Sequence, residues 1–315
     1  MTGNNVPEHL PAPPHNPLRA ALWMTGAITS FSAMAIAVRE LKGAHDTFEI
    51  MTVRSLVGLL IVVAVAAAMG RLHEVSARRL GGHVLRNAIH FTGQNLWILA
   101  VTLIPLAQVF ALEFTTPIWV LILSPFFLGE KLTRPRVLAA TLGFVGILVV
   151  ARPDVGGLNL GMLAAAASAV CFALTGITTK VLTRYEGIVS IMFWLTLLQG
   201  VFGATLALWD GAVRWPTAAT WPWLLVIGVT GVVAHFCLTS ALRLASTSFV
   251  MPIDFARLPL IAVAGAVLYG EAIEVTVLAG AALIFAGNYL NIWAETRRTR
   301  GGHAADGRPS GAPHP

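Results

Sequence analysis

Three stretches of the chain, Ser55–Gly70, Val137–Ala151 and Val275–Trp293, run on with almost no charge. No other feature of the sequence restricts the fold so strongly. A helix needs about 20 predominantly apolar residues to cross the hydrocarbon core of a bilayer. Composition agrees, since 56% of the 315 residues are hydrophobic and only 11% are charged. An ordinary soluble domain is about 45–50% apolar and about 25% charged, so these few charges cannot cover a soluble surface. Lipid is the solvent that fits, and the expected class is an all-α integral membrane protein.

Marking the apolar runs places ten spans, at 19–38, 49–70, 83–102, 106–127, 136–151, 160–180, 188–209, 221–242, 248–268 and 275–293. Connections such as TLIP and LAST are very short, which makes successive helices antiparallel neighbours. One side of the bundle collects Arg19, Arg71, Arg78, Arg79, Lys131, Arg134, Arg136, Lys180, Arg184, Arg243 and the tail arginines. The other side holds Arg39, Lys42, Arg152 and Arg214, with acids from Glu40 and Asp46 to Glu271 and Glu274. The positive-inside rule then predicts that both termini are cytoplasmic, in an inner (cytoplasmic) membrane. Trp209, Trp215, Trp221 and Trp223 bracket an outer loop, at the headgroup level that indoles favour. The net charge of +6 is spread between spans rather than gathered on one face, so nucleic acid is not an expected partner. Cys171 and Cys237 fall inside spans with no CxxC pair and read as small hydrophobes. Residues 1–18 and 294–315 read as disordered cytoplasmic tails, the first without a signal peptide's basic region and cleavage site.

Sliding the sequence on itself by 141 residues brings Gly129-Glu130 onto Gly270-Glu271 and Glu113-Phe114 onto Asp254-Phe255. The same ungapped offset pairs Phe31 with Phe172, Arg39 with Lys180, Met51 with Met192 and Ala100 with Ala241. Two five-helix repeats follow, over 19–151 and 160–293. Five is odd, so the second repeat enters the membrane from the opposite side. Inverted repeats of this kind are a signature of secondary transporters, in which the halves exchange conformation.

Ten helices in two halves, with a Gly-Glu pair closing the fourth helix of each (FFLGEKLT and AVLYGEAIE), resemble the EamA family of the drug/metabolite transporter superfamily. The resemblance covers about residues 19–293. It implies a basket of helices around a central cavity and carriage of small metabolites without ATP. Family members carry amino acids, riboflavin, S-adenosylmethionine and other solutes.

A charge at the bilayer centre costs about 2.5–3.5 kcal/mol even on insertion scales, so buried ionisable residues mark cavities or pairs. In the third span, Arg86, His90, Gln94 and Trp97 follow helical spacing on one face, with Asn87 and Asn95 beside them. The offset pairs Gln94 with His235 of the eighth span. Lining of a substrate cavity and hydrogen bonding between helices are both open readings of this face. Asp254 pairs by symmetry with Glu113, and inversion sets Glu113 nearer the outside and Asp254 nearer the cytoplasm. Arg257, three residues after Asp254, lies on the same helical face and can neutralise it. The pair is a candidate gate or a permanent ion pair, and Glu113, Asp254 and Arg257 are the candidates for gating and proton coupling. Pro117, Pro252 and Pro259 suit irregular helix at a binding site. Arg54 lies about a turn and a half inside the second span, a depth from which it can snorkel to the outer interface. The Gly-Glu pairs read as a helix end followed by an acid at the next helix N-terminus.

Two rival classes use the same buried cluster, a membrane-embedded enzyme and a channel. The chain has no HExxH, GxSxG, CxxC or phosphate-loop motif, so no catalytic residue, metal or cofactor is expected. Three inner arginines, two acids and two histidines beside Trp97 and Trp119 favour an amphiphilic zwitterion or anion, amino-acid-like or flavin-like. Protons are the candidate coupling ion.

Overall fold

The 141-residue offset reappears in where the helices begin and end. The computed structural model describes residues 16–128, 134–151, 159–182, 185–209, 213–244, 253–254 and 256–305. Its helices are α1 Pro17–Glu40, α2 Thr47–Ala68, α3 Leu80–Leu103, α4 Leu106–Glu113, α5 Thr116–Leu128 and α6 Arg134–Ala151 in the first half. The second half has α7 Leu160–Leu182, α8 Ile188–Ala207, α9 Trp221–Leu244, α10 Arg257–Tyr269 and α11 Val275–Ala305. Adding 141 carries Leu80–Leu103 onto Trp221–Leu244 and Thr116–Leu128 onto Arg257–Tyr269, end for end. The repeat read from scattered identities is a repeat of structure.

Local chemistry sets several of these ends. Asn16 accepts a hydrogen bond from the backbone N–H of Arg19 at 3.1 Å, and Pro17 opens α1 where a missing N–H costs nothing. Asp46 and Glu49 form a capping box at the start of α2. Gly270 closes α10 at φ +63°, a conformation that an L side chain resists.

The fourth span is two helices rather than one. α4 stops at Glu113, Phe114 and Thr115 form a turn, and α5 restarts with Pro117 in its first turn. Pro117 cannot donate to the preceding turn, so the ladder is interrupted one residue above it. In the second half, α10 restarts at the position equivalent to Thr116, preceded by helical Ile253 and Asp254. The predicted start of the ninth span, with Pro252, lies outside the described residues.

The most extensive packing crosses between repeats: α1 against α9, α3 against α7, α2 against α8 and α6 against α11. The first two pairs exchange under the offset, and the last two each join an element to its own mate. The halves are interleaved into one bundle. Gly146 and Gly280 bring α6 and α11 into close backbone contact, since a Cβ on either would lie 2.7 Å from the other's carbonyl oxygen. Small residues permit this contact, as expected for helices 5 and 10.

Five helices are long and apolar enough to cross a membrane: Leu18–Glu40, Thr47–Ala68, Leu160–Thr179, Ile188–Ala207 and Trp221–Ala241. Four shorter apolar segments, Leu106–Val120, Ala140–Val150, Arg257–Tyr269 and Val275–Gly287, accompany them. α3 falls short because its polar face lowers its mean hydropathy. The protein is therefore a multi-pass membrane protein, with five clear spans among the described residues. One boundary moves: α11 continues to Ala305, twelve residues past the expected end at 293. Each added residue of a formed helix gains a backbone hydrogen bond, so leaving the apolar run does not end it.

Candidate functional site

The interrupted fourth span brings its acid to the second repeat's arginine. One nitrogen of Arg257, Nη2, donates to Asp254 Oδ2 at 2.6 Å and to Glu113 Oε1 at 3.1 Å. The indole N–H of Trp97 donates to the other Glu113 oxygen at 2.8 Å. Side-chain exposure is 5% for Arg257, 13% for Glu113 and 17% for Asp254. The guanidinium carbon also stands 4.8 Å, 5.1 Å and 5.3 Å from the ring centres of Phe31, Phe110 and Phe114. Those distances suit cation–π attraction, which strengthens when the cation is desolvated. The Asp254–Arg257 pair is thus part of a triad that joins both repeats. Glu113 and Asp254 do not lie toward opposite faces, because both touch the same nitrogen.

A second polar group lies on α2, α3, α7 and α9. Arg54 Nη1 donates to Gln94 Oε1 and to Met51 Sδ, both at 3.4 Å. Arg86 donates from Nε to Thr179 Oγ1 at 3.1 Å and from Nη1 to Asn87 Oδ1 at 2.8 Å. His90 and His235 meet edge to face at 5.3 Å, with Phe172 and Phe31 on their outer sides. The expected polar face of α3 is real and buried, and it connects the two regions: Gln94 serves Arg54, and Trp97 serves Glu113. Gln94 and His235 both stand beside Arg54, which agrees with their pairing at the offset. Asn87 and Asn95 bond backbone carbonyls and act as interhelical or intrahelical ties. Trp119 packs edge to face on Phe144 at 5.1 Å, away from these groups.

Arg54 does not snorkel. It is buried, and the missing side chain of Gly231 makes room for it: a Cβ there would lie 2.8 Å from Arg54 Nε. Arg54, Ser55, Gln199 and His235 are polar groups on the wall of a cavity of about 20 Å³ between α2, α8 and α9, room for about one water. Sequence reasoning counted Arg54 among the inner arginines but read it as able to snorkel, and it passed over Gln199. The signal was a charge at a depth of about 10 Å, seven residues into a helix rising 1.5 Å per residue.

The Gly-Glu motif of the second repeat has a different role from the one expected. Glu271 does not cap α11. Its Oε2 accepts the backbone N–H of Leu106, at the start of α4, at 2.9 Å, and its Oε1 pairs with Arg39 at 2.9 Å. Arg39 also donates to the Ile104 carbonyl at 2.6 Å, and the hydroxyl of Tyr269 donates to Glu40 at 2.9 Å. A carboxylate is favourable at any exposed helix N-terminus, and the α3–α4 turn brings one from the other repeat within reach. This clamp fastens α1, α4 and the α10–α11 loop. Gly129-Glu130, its counterpart, lies outside the described residues.

The family and its relatives bear on what such an arrangement does. The model of the EamA-like transporter family matches residues 18–152 and again residues 159–293. A riboflavin transporter of Vibrio cholerae serotype O1 is 28% identical over 292 residues, 91% of this chain and 97% of that one. Another riboflavin transporter, from Brucella anthropi, is 33% identical over 208 residues, covering 65% of this chain and 73% of its own. An S-adenosylmethionine uptake transporter of Rickettsia bellii is 24% identical over 277 residues, 87% of this chain and 94% of that protein. A solved crystal structure superposes with a TM-score of 0.65 over 88% of this chain and 98% of its own, at 20% identity, and shares the fold. Both family matches begin and end 141 residues apart, as the helices do, and these relatives are transporters rather than enzymes. The chain belongs to the EamA-like transporter family of the drug/metabolite transporter superfamily.

Proposed function

We propose that the protein is a secondary-active carrier of small metabolites, working by alternating access between two inverted five-helix repeats that cross the membrane ten times. Both termini lie in the cytoplasm, and the membrane is the inner membrane of the cell. The substrate is an amphiphilic zwitterion or anion, amino-acid-like or flavin-like, in keeping with the riboflavin and S-adenosylmethionine named for the relatives. One observation carries the reading: Arg257 of the second repeat is held by Glu113 of the first and Asp254 of its own, at helix breaks in equivalent places.

A two-state carrier needs contacts between its halves that form in one state and open in the other. The triad has that form, because its members sit on the two interrupted spans. Glu113 and Asp254 share one cation, so the triad carries one excess negative charge when both are ionised. That excess makes the acid pair the candidate proton site. A channel with the same cluster would not need matched breaks in both halves.

Counterflow in proteoliposomes tests the carrier reading. Vesicles loaded with unlabelled riboflavin or S-adenosylmethionine should accelerate uptake of the labelled compound, with saturation. Other metabolites should compete if neither is the true substrate, and a pH gradient should drive accumulation. Flux that rises linearly with concentration and shows no counterflow would make the protein a channel. Orientation is tested separately by thiol labelling of intact cells: Thr217→Cys should react from outside and Arg78→Cys should not.

A further inference from the structure

Arg54 and Arg86 differ from every other buried arginine described here, because no carboxylate among the described residues bridges either of them. Their hydrogen bonds go to neutral atoms, and the one from Arg54 to the Gln94 oxygen, at 3.4 Å, is long beside the about 2.9–3.0 Å usual for an N–H···O bond. The two cations also repel each other, so each raises the cost of burying its neighbour. A buried charge without a partner is a defect in a closed bundle but an asset in a site that receives a counter-ion.

The surroundings of Arg54 point to such a site. Across the cavity from α2, Gln199 on α8 is only 2% exposed, and its amide nitrogen has no hydrogen-bond partner among the described residues. His235 Nε2, on α9, is likewise buried without a partner and lines the same cavity. Three helices thus present a guanidinium, an amide and an imidazole nitrogen to one space, with no acid on its wall. Gly228 and Gly231 let α2 approach α9, since a Cβ at the first would lie 2.6 Å from Val57 and at the second 2.8 Å from Arg54 Nε. The cavity's volume is about 20 Å³, room for about one water, so in this conformation it admits one oxygen of a solute's polar head and must widen to take the whole group.

We propose that this cavity is an oxyanion subsite: Arg54, Gln199 and His235 receive the carboxylate or phosphate group of the transported solute, and Arg86 adds its positive field from behind. The fork of a guanidinium matches the planar edge of a carboxylate or phosphate, and neutral donors satisfy the remaining lone pairs. The assignment rests on the carrier reading, and it divides that substrate into two ends. The anionic end meets Arg54, and the remainder extends along the α3 face toward Trp97 and the acid triad, where a cationic or aromatic group finds complementary partners.

Equilibrium anion binding tests the subsite without requiring transport. The protein is reconstituted in nanodiscs of zwitterionic phosphatidylcholine, which offers no anionic headgroup of its own. Thermal stability and titration heats are then followed with sodium phosphate, sodium acetate or sodium chloride at constant ionic strength. A saturable response to phosphate, acetate or both, absent with chloride, is expected, and the stronger of the two identifies the head group. Arg54→Gln should weaken that response about tenfold or more, the range for losing a charged hydrogen-bond donor. If Arg54→Gln gives no cooperative melt, Gln199→Leu and Arg54→Lys decide: the first should weaken binding severalfold, and the second should retain part of it. No saturable response in the wild type, an equal response to chloride, or a response untouched by Arg54→Gln and Gln199→Leu overturns the subsite. Counterflow without an anion response removes the subsite and leaves the carrier; an anion response without counterflow does the reverse.

Discussion

Arg257 and Arg54 are both arginines buried in an apolar bundle, yet their neighbours are opposite in kind. Arg257 is held by two carboxylates and faced by three phenyl rings. Arg54 has a side-chain amide oxygen, a thioether and a cavity. The first is complete within the protein, and its charge serves the joint between repeats. The second is incomplete, and its charge is available to something from outside. Burial alone therefore says little about the role of a charge in a membrane bundle. What matters is whether the protein supplies the counter-charge itself.

Substitutions should expose this contrast, beginning with the largest effect. Replacing both acids, Glu113→Gln with Asp254→Asn, leaves Arg257 desolvated and unpaired. Breaking a buried pair in this way costs about 3–5 kcal/mol, so the double variant should melt well below the wild type in detergent. Adding Arg257→Met should recover most of that loss; no recovery would mean that the three residues do not act as a unit. Asp254→Asn alone should lose concentrative transport while retaining substrate binding, because Glu113 still holds the arginine. Wild-type accumulation by Asp254→Asn would remove Asp254 from both gating and proton coupling.

The clamp is next in size. Glu271→Gln removes the ion pair with Arg39 and weakens the bond to the Leu106 N–H, and hydrogen bonds to charged groups contribute about 1.5–3 kcal/mol each. Even about 1.4 kcal/mol moves a two-state equilibrium tenfold. Glu271→Gln should therefore shift the balance of access states, seen as faster thiol labelling of a cysteine placed at Thr196 on the cavity wall. Unchanged labelling would make the clamp a fixed brace. Smallest in stability, and most telling for the comparison, is Arg54→Gln. Removing an uncompensated cation should change the melting stability by about 1 kcal/mol or less, with a gain as acceptable as a loss, while transport falls sharply. A loss as large as that of the acid double variant would show that Arg54 is already paired and would erase the distinction.

The legibility of these features in the sequence varied with how local their cause is. The repeat was readable because each half reuses the same breaks and ends, so Gly129-Glu130 and Gly270-Glu271 stand in register with Glu113 and Asp254. The α3 face was readable because 3.6-residue spacing puts Arg86, His90, Gln94 and Trp97 together wherever the helix goes. Asp254 with Arg257 was readable for the same reason. Glu113 was identified as Asp254's counterpart, but its direct bond to Arg257 was not, because that contact spans 144 residues of chain. Glu271 illustrates the same limit: a local rule assigned it to the nearest helix N-terminus, and packing delivered it to α4.

By itself the sequence determined the solvent, the all-helical class, the duplication and the helix faces, since hydropathy, spacing and offset all act within a few turns of one chain. Only the tertiary structure decided which of the buried charges are neutralised. Interleaving of the repeats sets α4 against α10, so Glu113 and Asp254 share one arginine, and sets α2 against α8 and α9, so Arg54 meets Gln199 and His235 across a cavity. Electrostatic energy in a low-dielectric bundle depends on separations of a few ångströms between helices distant in sequence, a quantity fixed by packing and not by spacing along the chain.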